Sequence, residues 1–183
     1  MVCEEMKTNI VLIGFMGAGK TEVGRILAIN LGFNFLDIDA LIEKYEEMSI
    51  TEIFKKKGEK YFRNLETKIL NSIKETINGF ELSGKDKPSV ISTGGGMPAF
   101  NGNMKLLKNI GTVIYLKADA RTIYERIKSE THRPVLGADG FTLKSVSDKL
   151  SEREKIYEKA DIIIYTEGLT PLSAAEEIKI FLN

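Results

Sequence analysis

Gly14-Phe15-Met16-Gly17-Ala18-Gly19-Lys20-Thr21 decides how this chain folds, because of what stands on either side of it. Before it, Asn9 to Ile13 is a short apolar run of strand length, ending in Gly14. After it, Lys20 to Leu31 carries Val23, Ile26, Leu27 and Leu31 at helical spacing. The octapeptide matches G-x-x-x-x-G-K-[ST], and each part has a physical use. Glycines let the backbone wrap an anion with its N–H groups inward. The following helix presents its positive end to the same point. Lys20 adds a mobile charge for β- and γ-phosphates, and Thr21 offers a hydroxyl to Mg²⁺. Gly17, Ala18, Gly19, Lys20 and Thr21 are therefore the expected phosphate-binding residues. A glycine-rich turn that merely precedes Lys-Thr is the alternative, and the strand–loop–helix context argues against it.

Working outward, the same alternation continues. Phe33 to Ile38 reads as a second strand, with Asp37 and Asp39 at its end, and Ala40 to Tyr45 as a short helix. Ser49 with Glu52 forms a capping-box pattern that starts a helix through Ile53 and Phe54. Gly58 interrupts, and a longer helix runs to about Ile77. Ser89 to Thr93 is the third strand, followed at once by Gly94-Gly95-Gly96. Thr112 to Leu116 and Asp161 to Tyr165 are the fourth and fifth strands. Between them lie helical segments at Ala120 to Ile127 and Leu143 to Tyr157, and Pro171 opens a last helix. Strand–helix alternation predicts an α/β domain, a parallel sheet flanked by helices. In such sheets ligands sit beyond the carboxyl ends of the strands. Gly14, Asp37, Gly94 and the loop after Tyr165 all fall there.

Composition narrows the function classes. The 183 residues suit one domain, and 43% are hydrophobic. Lys+Arg and Asp+Glu are both 26, so nothing suggests a nucleic-acid binder, which carries a basic excess. Cys3 is the only cysteine and fits a reducing, cytoplasmic setting. No apolar run reaches bilayer length, and Met1 to Lys7 lacks the apolar segment of a signal peptide, so no membrane partner is expected. No long apolar stripe demands a second copy, so a monomer is expected.

A phosphate loop alone does not separate kinase from GTPase or motor. There is no D-x-x-G followed by N-K-x-D to read guanine, and the chain is short for a motor. A small-molecule kinase remains. Asp37 and Asp39, at i and i+2 of a strand, would share one face and point into one cleft. Arg63 and Glu66, three apart on a helix, are surface neighbours. Gly94 to Gly96 lets backbone approach a ligand closely. Arg133 lies in a glycine- and proline-punctuated loop, and Arg153 on the helix after it.

Taken together, G-F-M-G-A-G-K-T, L-D-I-D, F-R-N-L-E, T-G-G-G, R-P-V-L and S-E-R-E-K-I-Y-E-K-A-D resemble shikimate kinases in order and spacing, from about Asn9 to Phe181. The resemblance implies a P-loop fold with a five-stranded parallel sheet, a helical substrate-binding region at about 38–66 and a lid at about 130–141, in one domain over 1–183. It implies ATP and shikimate as substrates and one Mg²⁺, held by Thr21 and, through water, by Asp37. Lys20, Asp39 and Arg133 would be catalytic. Asp39 would bind the acceptor hydroxyls and assist proton removal. Arg63 and Arg153 would clamp the acceptor carboxylate, with Gly94, Gly95 and Gly96 lining the pocket. Arg126 would lie on the adenine side of ATP, beside the loop from Thr166 to Pro171, with Arg133 over the phosphates. A kinase of another small hydroxy acid or polyol, such as gluconate, is the alternative.

Each assignment has a plainer rival. Asp37 can cap the next helix. Arg63 and Glu66 can be a solvated surface pair. Arg153 stands in a charged run, Glu152 to Lys159, usually a solvated face. His132 reads as a lid-surface residue, since phosphoryl transfer needs no imidazole. Glu66 reads as orienting Arg63 rather than acting as a base. Two departures from the family pattern stand out: Lys155, where a proline is usual two residues after the clamp arginine, and Met97-Pro98 after the glycines.

Overall fold

A computed structural model describes residues 9–79, 87–128 and 142–182. Within them the five expected strands form one parallel sheet. The strands are β1 (Asn9–Ile13), β2 (Asn34–Asp37), β3 (Ser89–Ser92), β4 (Gly111–Lys117) and β5 (Ile162–Tyr165), in the order β2-β3-β1-β4-β5. The helices are α1 (Lys20–Leu31), α2 (Ile38–Glu46), α3 (Ile50–Lys57), α4 (Glu59–Gly79), α5 (Asn103–Ile110), α6 (Ala120–Ile127), α7 (Leu143–Tyr157) and α8 (Pro171–Leu182).

The period of two in β1 explains both faces of the sheet. Ile10 and Leu12 point into one core with Val23 and Leu27 of α1 and Ala174, Ala175 and Ile178 of α8. Val11 and Ile13 point into the other, with Ile38, Ile42, Phe62, Leu70, Leu107 and Val146 from the remaining helices. Both faces are covered, so β1 reads as an apolar run rather than an alternation. β1 sits in the middle of the sheet, where the connections change direction. That is where such folds bind ligands.

Local signals act as read. Ser49 and Glu52 close the capping box of α3, with Ser49 N donating to Glu52 Oε2 at 3.1 Å and Glu52 N to Ser49 Oγ at 3.3 Å. Pro171 opens α8. Boundaries shift by one or two residues at several elements, and one shift bears on the site. The second strand stops at Asp37, and Ile38 already belongs to α2. Ile38 is buried in either assignment, so its hydrophobicity carried no information about where the strand ends. Lys155 causes no break: α7 is continuous through Tyr157. The lid region expected at 130–141, with His132 and Arg133, lies outside the described residues.

Candidate active site

The phosphate loop leaves the carboxyl end of β1 and feeds directly into α1. Gly17 has φ +76°, and a Cβ there would lie 2.6 Å from Ile127 Cγ2, so both its backbone angle and its neighbour require glycine. Ala18 N donates to Phe15 O at 3.2 Å and tightens the turn. Lys20 lies across the loop, its Nζ donating to Gly14 O at 3.0 Å and to Phe15 O at 2.9 Å. The ammonium is thus held against the loop by the loop's own carbonyls. Thr21 Oγ1 donates to Asp37 Oδ2 at 2.7 Å. The other oxygen, Asp37 Oδ1, accepts from Ala40 N at 3.2 Å and caps α2. The capping reading therefore holds for Asp37, while its second oxygen faces the Thr21 hydroxyl of the phosphate loop. A hydroxyl and a carboxylate side by side on the nucleotide loop form an all-oxygen donor set, which suits Mg²⁺.

Asp39 reaches the cleft by a different route from the one expected. It does not share a strand face with Asp37. It stands in the first turn of α2, and the helix start turns it beside Gly94. A Cβ on Gly94 would be 2.7 Å from Asp39 Oδ1 and 2.7 Å from Glu66 Oε1, so two carboxylates flank one point.

Arg63 and Glu66 are not a solvated pair: they are 6% and 0% exposed. Arg63 Nη1 donates to Glu66 Oε2 at 2.8 Å. Its Nε and Nη2 donate to Glu59 Oε1 at 3.3 and 3.1 Å. A guanidinium has five N–H groups. These bonds use one on each nitrogen and leave one each on Nη1 and Nη2, a pair suited to a ligand carboxylate. Burial opposes the Arg63 charge, but Glu66 and Glu59 outweigh it and raise its pKa. Burial pushes the Glu66 carboxyl up to about 7; Arg63 and Arg153 pull it down, and Asp39 adds to the rise.

The three glycines each meet something different. Gly94 faces the two carboxylates, and Gly95 lies against the phosphate loop, where a Cβ would be 2.9 Å from Met16 N. Gly96 lies on the Arg63 guanidinium. Arg153, on α7, stacks over the Phe15 ring of the phosphate loop, 5.5 Å from its centroid. Arg126 bridges the far side: its Nη2 donates to Thr166 O at 2.9 Å, and its Nη1 approaches Gly17 O at 3.5 Å.

These groups border one cleft of about 1070 Å³, which contains Lys20, Thr21, Asp37, Asp39, Arg63, Gly94 to Gly96, Arg126 and Arg153, together with Thr166, Thr170 and Pro171. Every expected site residue among the described ones is therefore in the same cleft. Sequence reasoning missed Glu59, Tyr157 and Asn103. Glu59, at i−4 from Arg63, was findable by helical spacing. The Tyr157 hydroxyl donates to Gly95 O, and the buried Asn103 donates through Nδ2 to Met97 O at 3.1 Å. Neither of these contacts has a local signature in the sequence.

A phosphate loop on the central strand, facing a carboxylate-lined and arginine-walled pocket, defines a P-loop kinase of small molecules. The shikimate kinase family model matches residues 16–183. A shikimate kinase from Thermodesulfovibrio yellowstonii is 45% identical over 170 residues, covering 93% of this chain and 92% of that protein. One from Persephonella marina is also 45% identical over 170 residues, covering 93% and 96%. The solved shikimate kinase from Acinetobacter baumannii in complex with shikimate superposes with a TM-score of 0.86 at 35% identity, covering 97% of this chain and 94% of that one. The chain belongs to the shikimate kinase family.

Proposed function

We propose that the protein transfers the γ-phosphate of ATP to the 3-hydroxyl of shikimate, giving shikimate 3-phosphate and ADP on the route to chorismate and the aromatic amino acids. Family membership supports this reading, and one observation in the chain carries it. The anion cradle and a guanidinium pair, Arg63 and Arg153, border a single cleft with Asp39 among them. A kinase of gluconate or another polyol is not favoured, since the relatives above are shikimate kinases.

We assign the roles as follows, the shared cleft supporting those of the described residues. Gly17, Ala18, Gly19, Lys20 and Thr21 hold the phosphates, and Arg126 holds the adenine side with the Thr166–Pro171 loop. Thr21 and, through water, Asp37 would hold one Mg²⁺, which neutralises phosphate charge when bound. Arg63 and Arg153 grip the planar acceptor carboxylate, and Gly94 to Gly96 let it lie close to backbone. Asp39 accepts hydrogen bonds from the acceptor hydroxyls and takes the proton from the attacking one. Lys20, with Arg133 of the lid, balances charge on the transferred group. The substrate-binding region at about 38–66 and the lid at about 130–141 belong to a single domain over 1–183. No helix among the described residues is long and apolar enough to cross a membrane. We assign a cytoplasmic monomer that binds neither nucleic acid nor membrane, in keeping with one cysteine and balanced charge.

The test is coupled ADP release against shikimate, gluconate, nucleoside monophosphates and water alone. Turnover with shikimate and only traces with the others is expected. Faster turnover with gluconate or a nucleotide would overturn the reading.

A further inference from the structure

We propose that Tyr157 is a positioning residue for the acceptor: its hydroxyl ties α7, which carries Arg153, to the glycine turn at Gly95. The inference rests on the proposed function, since it concerns how that acceptor is held.

The carbonyls of the turn show the need. Gly94 O accepts from Met97 N at 3.1 Å, and Gly96 O accepts from Ala99 N at 3.2 Å. The middle carbonyl, Gly95 O, is satisfied by a side chain 62 positions away, the Tyr157 hydroxyl. That hydroxyl is aimed from behind. Tyr157 is 0% exposed, and its ring packs on Tyr115 of β4 with centroids 5.1 Å apart. The ring direction is therefore set by a central strand, and the hydroxyl can reach the turn only if α7 holds its place.

The coupling runs both ways along α7. Arg153 and Tyr157 are four residues apart, so they lie on one side of the helix. One lines the cleft and the other grips its glycine wall. Gly95 rests on Met16 N, and Gly96 lies on the Arg63 guanidinium. The Tyr157 hydroxyl thus links Arg153 on one wall to the glycine turn that carries the Gly96–Arg63 stack on the other. Arg153 acts on the phenol both by its charge and by a side-chain hydrogen bond, and Arg63 and Glu66 act by charge. Burial raises its pKa, so it remains a donor through the working range. The phosphate loop has its own bonds, from Lys20 and Ala18, and does not depend on this contact.

Tyr157→Phe removes only the hydroxyl and keeps the ring on Tyr115. KM for shikimate is expected to rise about tenfold, as for loss of one buried hydrogen bond, with KM for ATP and kcat changing by less than about threefold. Backbone amides at residues 94–97 are expected to exchange faster while the melting temperature stays close to the parent's. Tyr115→Phe is the control. It removes a hydroxyl with no hydrogen-bond partner among the described residues and should leave KM for shikimate unchanged. An unchanged shikimate KM in Tyr157→Phe overturns the inference. So does an equal rise in both KM values, an equal effect of Tyr115→Phe, or a Tyr157→Phe chain that does not fold. If the parent protein itself fails to phosphorylate shikimate, the functional reading fails instead. Amide exchange at 94–97 then decides the Tyr157 contact alone.

Discussion

Gly96 lies directly on the Arg63 guanidinium: a Cβ at Gly96 would stand 2.5 Å from Nη2 and 2.6 Å from Cζ. A long arginine would ordinarily swing aside from an added methyl. This one is pinned by Glu66 and Glu59, and it lies over the Phe62 ring at 5.3 Å. It can make room only by leaving a carboxylate. Gly96→Ala should therefore raise KM for shikimate by about tenfold or more, the equivalent of about 1.4 kcal/mol. KM for ATP should stay within about twofold, because the three atoms nearest the added Cβ all belong to Arg63. Steady-state kinetics with each substrate varied in turn would check this. Equal effects on both substrates would show that Arg63 belongs to the general architecture rather than to the acceptor.

Lys20→Ala should lower kcat by at least about a hundredfold, since the charge it removes has no substitute within the loop. The fold should survive. Its ammonium bonds to the carbonyls Gly14 O and Phe15 O are ones that water can replace. Circular dichroism and a melting curve beside the rate assay separate the two effects. A variant that keeps full turnover would remove the phosphate-loop assignment.

Asp37 caps α2, and the metal-holding role proposed for it can be tested apart from the cap. Asparagine also caps helices well, so Asp37→Asn should keep the start of α2 and cost little stability. It loses the negative charge beside Thr21, however. The Mg²⁺ concentration for half-maximal rate should rise by about tenfold, with KM for shikimate little changed. A metal titration of the rate is the measurement. An unaltered Mg²⁺ curve would leave Asp37 as a cap only.

The five strands, the phosphate loop and the helix starts at Ser49 and Pro171 were legible in the sequence because their signals are local. A loop between an apolar run and an amphipathic one, a capping box and a proline at N1 each act within a few residues. The clamp was half legible. The three-residue spacing of Arg63 and Glu66 made them neighbours, but nothing local says that both are buried, since that depends on α2, α7 and the glycine turn closing over them. Asp39 was placed on the right cleft by the wrong periodicity, because Ile38 suits the end of a strand and the start of a helix equally. The Tyr157 bond to Gly95 was invisible, since it joins elements brought together only by the folded sheet.

Glu66 should give acceptor binding a pH dependence. It is buried beside Asp39, with Arg63 and Arg153 opposing, and its carboxyl is pushed up to about 7 from an ordinary 4.5. Between those values the folded protein binds a proton that the unfolded chain does not, so this group's contribution to stability falls as pH rises through the window. Protonation also removes one negative charge from a pocket that must hold a carboxylate. KM for shikimate should therefore fall severalfold from about pH 8 to about pH 6 in the parent. Glu66→Gln keeps an acceptor for Arg63 and should flatten that dependence. A KM that varies with pH equally in both proteins would place the titration elsewhere.

Arg153 is the residue where the two halves of the cleft meet. Its guanidinium lies 5.5 Å from the centroid of Phe15, inside the phosphate loop, while its helix carries the Tyr157 contact to the glycine turn. A lysine would keep the charge but lose the plane that stacks on the ring and the fork that suits a carboxylate. Arg153→Lys should therefore raise KM for shikimate by about tenfold. Unlike Gly96→Ala, it should also change how the two substrates influence each other, because Phe15 is part of the phosphate loop. The readout is the shikimate dissociation constant with and without a non-hydrolysable ATP analogue. The parent should show a difference between the two conditions, and Arg153→Lys should show a smaller one. If lysine binds shikimate as tightly as arginine under both conditions, charge alone is enough at this position, and the stacked plane has no part in holding the acceptor.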